Sequence, residues 1–248
     1  MGTNYREKDL TCECAIVIMA KAPIPNQVKT RLIPCLKPEV ASSLYRNFLL
    51  DKIDQVKNIE AQAFIAYTPE TELAFFRSIA PHGFDLINQA GANLGDRLAN
   101  ISRNLFGQGF EKVLMLDSDT PNLPPEFIQK GLEQLDESDV VLGPCEDGGY
   151  YLIGLKECQP VLFKDIPWST SRVAEFTVEK ARNSGLTVSL LEAWYDIDTI
   201  DDLLRLKRDL KSYSGDQKGN FFCKNTYHEI KGMNIGEIFD QEIFVIKK

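Results

Sequence analysis

Two carboxylates, two residues apart, end an apolar segment in the middle of the chain. Asp117 and Asp119 follow residues 113–116, an apolar run that predicts a buried strand. Ligands of open α/β sheets bind beyond the carboxyl ends of strands, and side chains i and i+2 of an extended segment share a face. We therefore expect both carboxylates to hold one hard cation, Mg²⁺ or Mn²⁺, against a phosphorylated substrate. The alternative is a polar turn that only ends the strand.

A cationic loop follows the first predicted strand, residues 14–19. Lys21, Lys29 and Arg31 stand close together there, in a chain whose net charge is −8. Such cations neutralise a bound di- or triphosphate. The loop contains prolines, and the chain lacks G-x-x-x-x-G-K-[ST] and G-x-G-x-x-G, which argues against P-loop ATPases and Rossmann dehydrogenases. The loop thus predicts phosphate binding, with a solvated surface loop as the alternative.

Two more acidic residues follow another strand end, in the segment E-D-G-G-Y-Y. Glu146 and Asp147 are candidates for a general base or for binding the hydroxyl groups of an acceptor. The paired glycines after them allow a close approach of the backbone to a ligand. A tight turn between two strands is the alternative.

A last candidate carboxylate, Asp198, precedes the predicted helix 200–210. In the functional interpretation it is a second ligand for the cation at Asp119. In the structural interpretation the segment caps the helix, either through Thr199 with Asp202 as its partner or through Asp198 itself.

Residues 89–97, Q-A-G-A-N-L-G-D-R, join the third predicted strand to the next helix. Their side-chain amides can hydrogen-bond the edge of a nucleobase. We therefore expect a base to lie near this segment.

Strands alternate with helices along most of the chain. Hydrophobic patterning predicts strands at 14–19, 63–67, 84–87, 113–116, 140–143, 150–155 and 187–191, and helices at 39–56, 70–79, 94–106, 125–135, 173–183 and 200–210. This alternation is typical of βαβ units and predicts an α/β fold with a mostly parallel sheet.

Length and composition fit one α/β domain, residues 1–210, followed by a polar linker and an apolar tail at 211–248 of unknown role. We expect this tail to dock on the main domain or on a second subunit of a homo-oligomer.

The acidic balance argues against nucleic acid as a partner, and no apolar run reaches the roughly 20 residues of a membrane span. Residues 1–11 do not resemble a signal peptide, and the six cysteines lack zinc-site spacing. We therefore expect a cytoplasmic protein.

An ordered set of motifs carries a family resemblance over about residues 15–210. The motifs are A-K-x-P-x-P-x-x-V-K-T-R-L, L-x-D-S-D-x-P, E-D-G-G-Y-Y-L-I-G, I-P-W-S-T and D-I-D-T. The chain resembles the bacterial and archaeal glycosyltransferase-like family of the nucleotide-diphospho-sugar transferase superfamily, including its arsenosugar-biosynthesis-associated type. It is also similar to the guanylyltransferase of coenzyme F420 synthesis and to molybdenum-cofactor nucleotidyltransferases. The resemblance implies a GT-A fold, a mostly parallel central sheet with helices on both faces.

The resemblance also implies roles for individual residues. Lys21, Lys29 and Arg31 would bind the donor phosphates; Asp117 and Asp119 would form the metal-binding D-x-D and Asp198 would be the second metal carboxylate; Gln89 or Asn93, with Gly95, would contact the base. One position departs from the family pattern, because Asn26 stands where the family often has glycine.

Three functions are compatible with these residues. The one we favour from sequence is glycosyl transfer from a nucleotide-diphospho-sugar to a small-molecule acceptor, with Asp147 or Glu146 deprotonating a hydroxyl. The second is nucleotidyl transfer from an NTP to a phosphorylated small molecule, in which Lys29 and Arg31 neutralise the triphosphate and pyrophosphate is released. The third is a catalytically silent nucleotide-binding domain.

Overall fold

Seven strands form one sheet in the order β3-β2-β1-β4-β6-β5-β7 in the computed structural model, which describes residues 13–213 and 223–233. The strands are β1 (Cys14–Lys21), β2 (Gln62–Thr68), β3 (Phe84–Asn88), β4 (Lys112–Leu116), β5 (Val140–Pro144), β6 (Tyr150–Leu155) and β7 (Val188–Leu190). Their positions match the apolar segments of the sequence, so the predicted α/β fold is confirmed.

Strand β6 is antiparallel to both of its neighbours, β4 and β5, whereas the other paired strands are parallel. A short turn joins β5 to β6, and a connection this short permits only antiparallel pairing. The order of strands reverses between β1 and β4, since β2 and β3 extend from β1 in one direction and β4 lies on its other side. Such a reversal is where open α/β sheets bind ligands.

Helices cover both faces of the sheet. They are α1 (Pro38–Val56), α2 (Leu73–Ile79), α3 (Leu94–Gly107), α4 (Pro125–Gln134), α5 (Val173–Asn183), α6 (Ile200–Tyr213) and α7 (Lys224–Gly232). The helix predicted over 70–79 begins as a 3-10 turn and becomes α-helical at Leu73. Within the described ranges, no helix combines the length and apolar character that crossing a bilayer requires.

Alternate residues of β1 supply two separate hydrophobic cores. Ile16 and Ile18 pack in the core that includes α1, and Ala15 and Val17 pack in the core that includes α3. All four side chains are fully buried. A strand covered on both faces needs apolar residues at every position, which explains the continuous apolar runs of the sequence.

Part of the C-terminal tail packs on α1. The buried carboxylate of Asp51 accepts hydrogen bonds from the backbone nitrogens of Asn225 (2.9 Å) and Thr226 (2.8 Å), and from the side-chain amide of Asn225 (2.9 Å). These bonds satisfy free N–H groups at the start of α7. Residues 223–233 thus dock on the main domain, while 214–222 and 234–248, together with the segment 1–12, lie outside the described residues.

Replacing Asp51 tests this docking. We expect Asp51→Ala to lower the free energy of unfolding by about 1.5–3 kcal/mol, because it removes hydrogen bonds to a buried charged group. We also expect faster hydrogen exchange of the amides of α7. Asp54→Ala removes a partly exposed carboxylate of the same helix, paired with Lys57 just beyond the helix end. It should cost less than about 1 kcal/mol. Equal losses in both variants would contradict the docking role of Asp51.

Candidate functional site

A cavity of about 750 Å³ opens at the carboxyl ends of β1 and β4. Its lining includes most of the residues predicted from sequence: Lys21, Lys29, Arg31, Gln89, Asn93, Asp117, Asp119 and Asp198. The volume lies within the range of small-molecule sites. The fold therefore brings together side chains that are up to 177 residues apart in sequence, from Lys21 to Asp198.

The loop after β1 aims one of its lysines inward. Val28 and Leu32 are buried and anchor the loop on the core. Between them, Lys29 has a φ of 48°. This is the left-handed region, which residues other than glycine and asparagine rarely adopt. Asn26 also lies in this region, with a φ of 65°. Asparagine here takes a conformation that favours glycine, which accounts for the departure from the family pattern.

The Lys29 ammonium lies between two of the predicted metal ligands. Its Nζ is 2.5 Å from Oδ1 of Asp119 and 2.9 Å from Oδ1 of Asp198, and its side chain is 3% exposed. The rings of Tyr45 and Phe48 lie 5.9 and 5.5 Å from the same nitrogen. Burial alone would lower the pKa of Lys29, but the two carboxylates raise it above its usual value. The lysine therefore carries its charge in this position.

The two carboxylates that hold this ammonium fit a divalent cation. Asp119 and Asp198 present oxygen ligands, which Mg²⁺ and Mn²⁺ prefer, and they already stabilise one positive charge between them. Both are partly exposed to the cavity, with side-chain exposures of 39% and 34%. The donor set is thus suited to a hard cation reached from the cavity.

Asp117 and Asp119, which were expected to face one cation together, contact different lysines in the structure. Oδ1 of Asp117 lies 3.4 Å from Nζ of Lys52 and accepts a hydrogen bond of 2.7 Å from Thr120. The rule that side chains i and i+2 share a face holds within an extended strand, and β4 ends at Leu116. Asp117 still lines the cavity, but it contacts a different lysine from Asp119. Burial raises the pKa of Asp117 to about 6, and Lys52 opposes the rise.

Three side chains of α1 hold the D-S-D-T-P segment in place. The hydroxyl groups of Tyr45 and Ser118 are 2.8 Å apart; Lys52 donates to Thr120 over 2.7 Å; and Gln55 donates to the carbonyl of Pro121 over 2.5 Å. Sequence reasoning missed these residues. A signal was present for Lys52, because it continues the buried row Leu44, Phe48 and Val56 at intervals of four residues. A lysine in such a row requires a buried anionic partner.

The cap of α6 leaves Asp198 available to the cavity. Oδ2 of Asp202 accepts hydrogen bonds from the backbone nitrogen (2.7 Å) and the hydroxyl group of Thr199, and the Asp202 nitrogen donates back to that hydroxyl over 3.3 Å. This reciprocal pair is a capping box. Of the two caps considered from sequence, the structure thus contains the one formed by Thr199 and Asp202. The carboxylate of Asp198 instead accepts from Lys29 and, over 3.3 Å, from Arg31.

The three residues expected to contact a base have structural partners. Gln89 donates from its side-chain amide to the carbonyls of Ala20 and Ala66, and Asn93 caps α3 by accepting from the Asp96 nitrogen over 2.9 Å. Both still line the cavity. Gly95 does not, because it is packed against Phe163 and the Trp168 ring so closely that a Cβ would collide with them. The structure thus gives Gly95 a packing role, and its role in base binding stays a prediction.

The E-D-G-G segment lies outside the cavity lining, contrary to our expectation. Glu146 forms two hydrogen bonds with the guanidinium of Arg205, at 2.6 and 3.0 Å, which lower the pKa of Glu146. Asp147 accepts from the Gly149 nitrogen over 2.7 Å and closes the turn. The backbone of Ser171 packs closely against Gly148. The tight-turn interpretation therefore describes this segment better than the catalytic one.

Asp147 does belong to another group that sequence reasoning missed. Within residues 13–213 and 223–233, Cys145, Asp147 and Asp196 have ligand atoms that all lie within 4.8 Å of one another. Burial and the neighbouring carboxylates of Asp147 and Asp198 raise the pKa of Asp196 to about 7. This group is not among the residues that line the cavity.

The chain is similar to a protein family and to a solved structure. A family described as "Uncharacterized protein conserved in bacteria (DUF2064)" matches residues 50–170. A solved structure described as a "putative nucleotide-diphospho-sugar transferase" from Desulfovibrio desulfuricans G20 is 33% identical, with a TM-score of 0.81, and the match covers 93% of this chain and 98% of that one. The chain belongs to the DUF2064 family.

Two more distant proteins are similar to this DUF2064 member. The 2-phospho-L-lactate guanylyltransferase of Methanothermobacter thermautotrophicus is 23% identical over 194 residues, which are 77% of this chain and 82% of that protein. The 4-diphosphocytidyl-2C-methyl-D-erythritol synthase of Anaerococcus prevotii DSM 20548 is 13% identical, with a TM-score of 0.54 over 80% of this chain and 96% of that one. The second likeness shows the fold alone. The DUF2064 chain thus has a nucleotide-diphospho-sugar transferase-like fold.

Proposed function

We propose that this protein transfers a nucleotidyl group from an NTP to a phosphorylated small molecule. In this reaction an oxygen of the acceptor phosphate attacks the α-phosphorus of the NTP. A new P–O bond forms, the bond between the α-phosphorus and the bridging oxygen breaks, and pyrophosphate leaves with that electron pair. The product is a diphosphate-linked nucleotide. This proposal reverses our preference from sequence, which was glycosyl transfer.

The proposal depends mainly on one observation: the described residues that line the cavity include no carboxylate that is free to act as a general base. A hydroxyl acceptor needs a base within hydrogen-bond reach, whereas a phosphate acceptor is already anionic. The base candidates Glu146 and Asp147 lie outside the cavity, and Glu146 is paired with Arg205. Among the described residues that line the cavity, the carboxylates are Asp117, Asp119 and Asp198, and each contacts a lysine. This arrangement suits a phosphate acceptor, which is already negatively charged and needs no base.

The cations of the cavity also favour this chemistry. An NTP and a phosphorylated acceptor together carry more negative charge than a nucleotide-diphospho-sugar and a hydroxyl. Lys21 and Arg31 are exposed at the cavity, and Lys29 is buried beside them. Their charges would offset the repulsion between the two anionic substrates and stabilise the transition state.

A divalent cation would be held by Asp119 and Asp198. Asp117 would keep its contact with Lys52. When bound, Mg²⁺ or Mn²⁺ would stabilise the triphosphate and the pyrophosphate as it leaves. The side chains of α1 would keep the D-S-D-T-P segment fixed during the reaction.

The similarity to a 2-phospho-L-lactate guanylyltransferase supports the same proposal and names a first pair of substrates to test. The purified protein, with Mg²⁺, is incubated with GTP and 2-phospho-L-lactate, then with panels of NTPs and phosphorylated acceptors, and in parallel with nucleotide-diphospho-sugars. We expect pyrophosphate release from an NTP, and a diphosphate-linked product in the ³¹P NMR spectrum. Release of free nucleoside diphosphate from a nucleotide-diphospho-sugar, with no pyrophosphate from any NTP, would overturn the proposal.

Glycosyl transfer is kept as the second candidate because of the similarity to the Desulfovibrio protein. The same assay separates the two, since each donor releases a different product. A silent nucleotide-binding domain would release neither. The arsenosugar-associated type stays a prediction from the motifs.

A further inference from the structure

Lys29 occupies the place between two carboxylates that a divalent cation would take. Its Nζ lies within 2.9 Å of both Asp119 and Asp198. A second cation in the same place would be repelled by the ammonium at short range. Lys29 and a divalent cation therefore compete for the same oxygen atoms.

The structure distinguishes Lys29 from the other buried lysine of the site. Lys52 has no exposed side-chain surface, projects from α1 four residues before the helix ends and is held by Thr120 and Asp117. Lys29 projects from a loop, and the carboxylates that hold it are 39% and 34% exposed. Its side chain can thus move toward the cavity without any change in a helix, whereas Lys52 cannot.

We propose that Lys29 is a displaceable counter-ion. In the absence of a divalent cation its ammonium neutralises Asp119 and Asp198. A cation that binds these carboxylates replaces the ammonium, which turns to the phosphates of the nucleotide. This inference rests on the proposed function, because it assumes that the cavity binds a metal–nucleotide complex.

The exchange would couple two binding events. While Lys29 contacts the carboxylates, its charge is not available to a phosphate. Metal binding releases that charge for the phosphate, and a bound phosphate that attracts Lys29 leaves the carboxylates free for the metal. Each ligand should therefore strengthen the binding of the other, as linkage requires.

The test measures binding of Mn²⁺ alone, by the electron paramagnetic resonance signal of the free ion. We expect Lys29→Met to bind Mn²⁺ about tenfold or more tightly than the wild type, since the competing charge is gone. Lys21→Met is the matched control: it removes a lysine from the same cavity that has no ion pair with Asp119 or Asp198 in the structure. Its affinity for Mn²⁺ should change less than about threefold.

Several outcomes would overturn the inference. Equal Mn²⁺ affinity in Lys29→Met and the wild type would show that the ammonium does not compete. Equal gains in both lysine variants would show a general effect of net charge. Absence of Mn²⁺ binding in every variant would remove the metal from this site and the inference with it. Tighter Mn²⁺ binding in Lys29→Met, together with a wild type that releases no pyrophosphate from any NTP, would leave the inference standing and contradict the proposed function.

Discussion

Asp119→Asn is expected to abolish the effect of Mg²⁺ on nucleotide binding. Asp119 ends the D-S-D segment, contacts the Lys29 ammonium at 2.5 Å and is partly exposed to the cavity. An amide keeps the size of the side chain but removes the negative charge that a hard cation requires. The wild type should bind a nucleotide much more tightly with Mg²⁺ than without it, and the variant should bind with the same weak affinity in both conditions.

Calorimetric titrations with and without Mg²⁺ measure this difference. Asp147→Asn is the control, because it makes the same chemical change in a carboxylate that is outside the cavity lining and closes a turn. It should keep the full effect of Mg²⁺. An Asp119→Asn variant that responds to Mg²⁺ like the wild type would contradict the assignment of Asp119 as a metal ligand.

Lys52→Met is expected to cause the largest loss of stability. The lysine is completely buried and is paired with Asp117 at 3.4 Å and with Thr120 at 2.7 Å. Removing one partner of a buried ion pair leaves the other charge without compensation, which costs about 3–5 kcal/mol. This is a large part of the roughly 5–15 kcal/mol by which domains are stable.

Urea unfolding of the wild type and two variants tests this expectation. Lys57→Met removes an exposed lysine near the end of the same helix, where it pairs with Asp54. That variant should lose less than about 1 kcal/mol. A loss of similar size in both lysine variants would show that the Lys52–Asp117 pair contributes no more than a surface ion pair.

The sequence was sufficient for the architecture because apolar residues are dense and regularly spaced. The runs that became β1 and β4 contain few polar residues, and both are buried on two faces. The position of the cavity also followed, since the carboxyl ends of parallel strands meet at one edge of the sheet. The antiparallel direction of β6 was not predicted, although the five-residue connection from β5, residues 145–149, excludes a crossover helix.

The partners of individual charges were beyond the reach of sequence reasoning. From sequence alone Glu146 is a candidate base, but in the structure Arg205, 59 residues later in the chain, is hydrogen-bonded to it. Lys29 can be assigned to a phosphate from its loop, but its contact with Asp198 spans 169 residues. Spacing along the chain describes only neighbours within one element, whereas these pairs join elements that meet through the packing of the core. The Asp117–Lys52 contact was missed for the same reason.

Helix α1 joins the C-terminal tail to the cavity through consecutive residues. Asp51 binds the start of α7, and Lys52 binds the segment that carries Asp117 and Thr120. Local opening of α1 would release both at once, so α7 and the D-S-D-T-P segment should behave as one cooperative unfolding unit. A chain truncated before residue 223 would leave the Asp51 carboxylate without its α7 partners. The resulting protein would keep every residue that lines the cavity, but α1, which holds the D-S-D-T-P segment, would lose part of its own support.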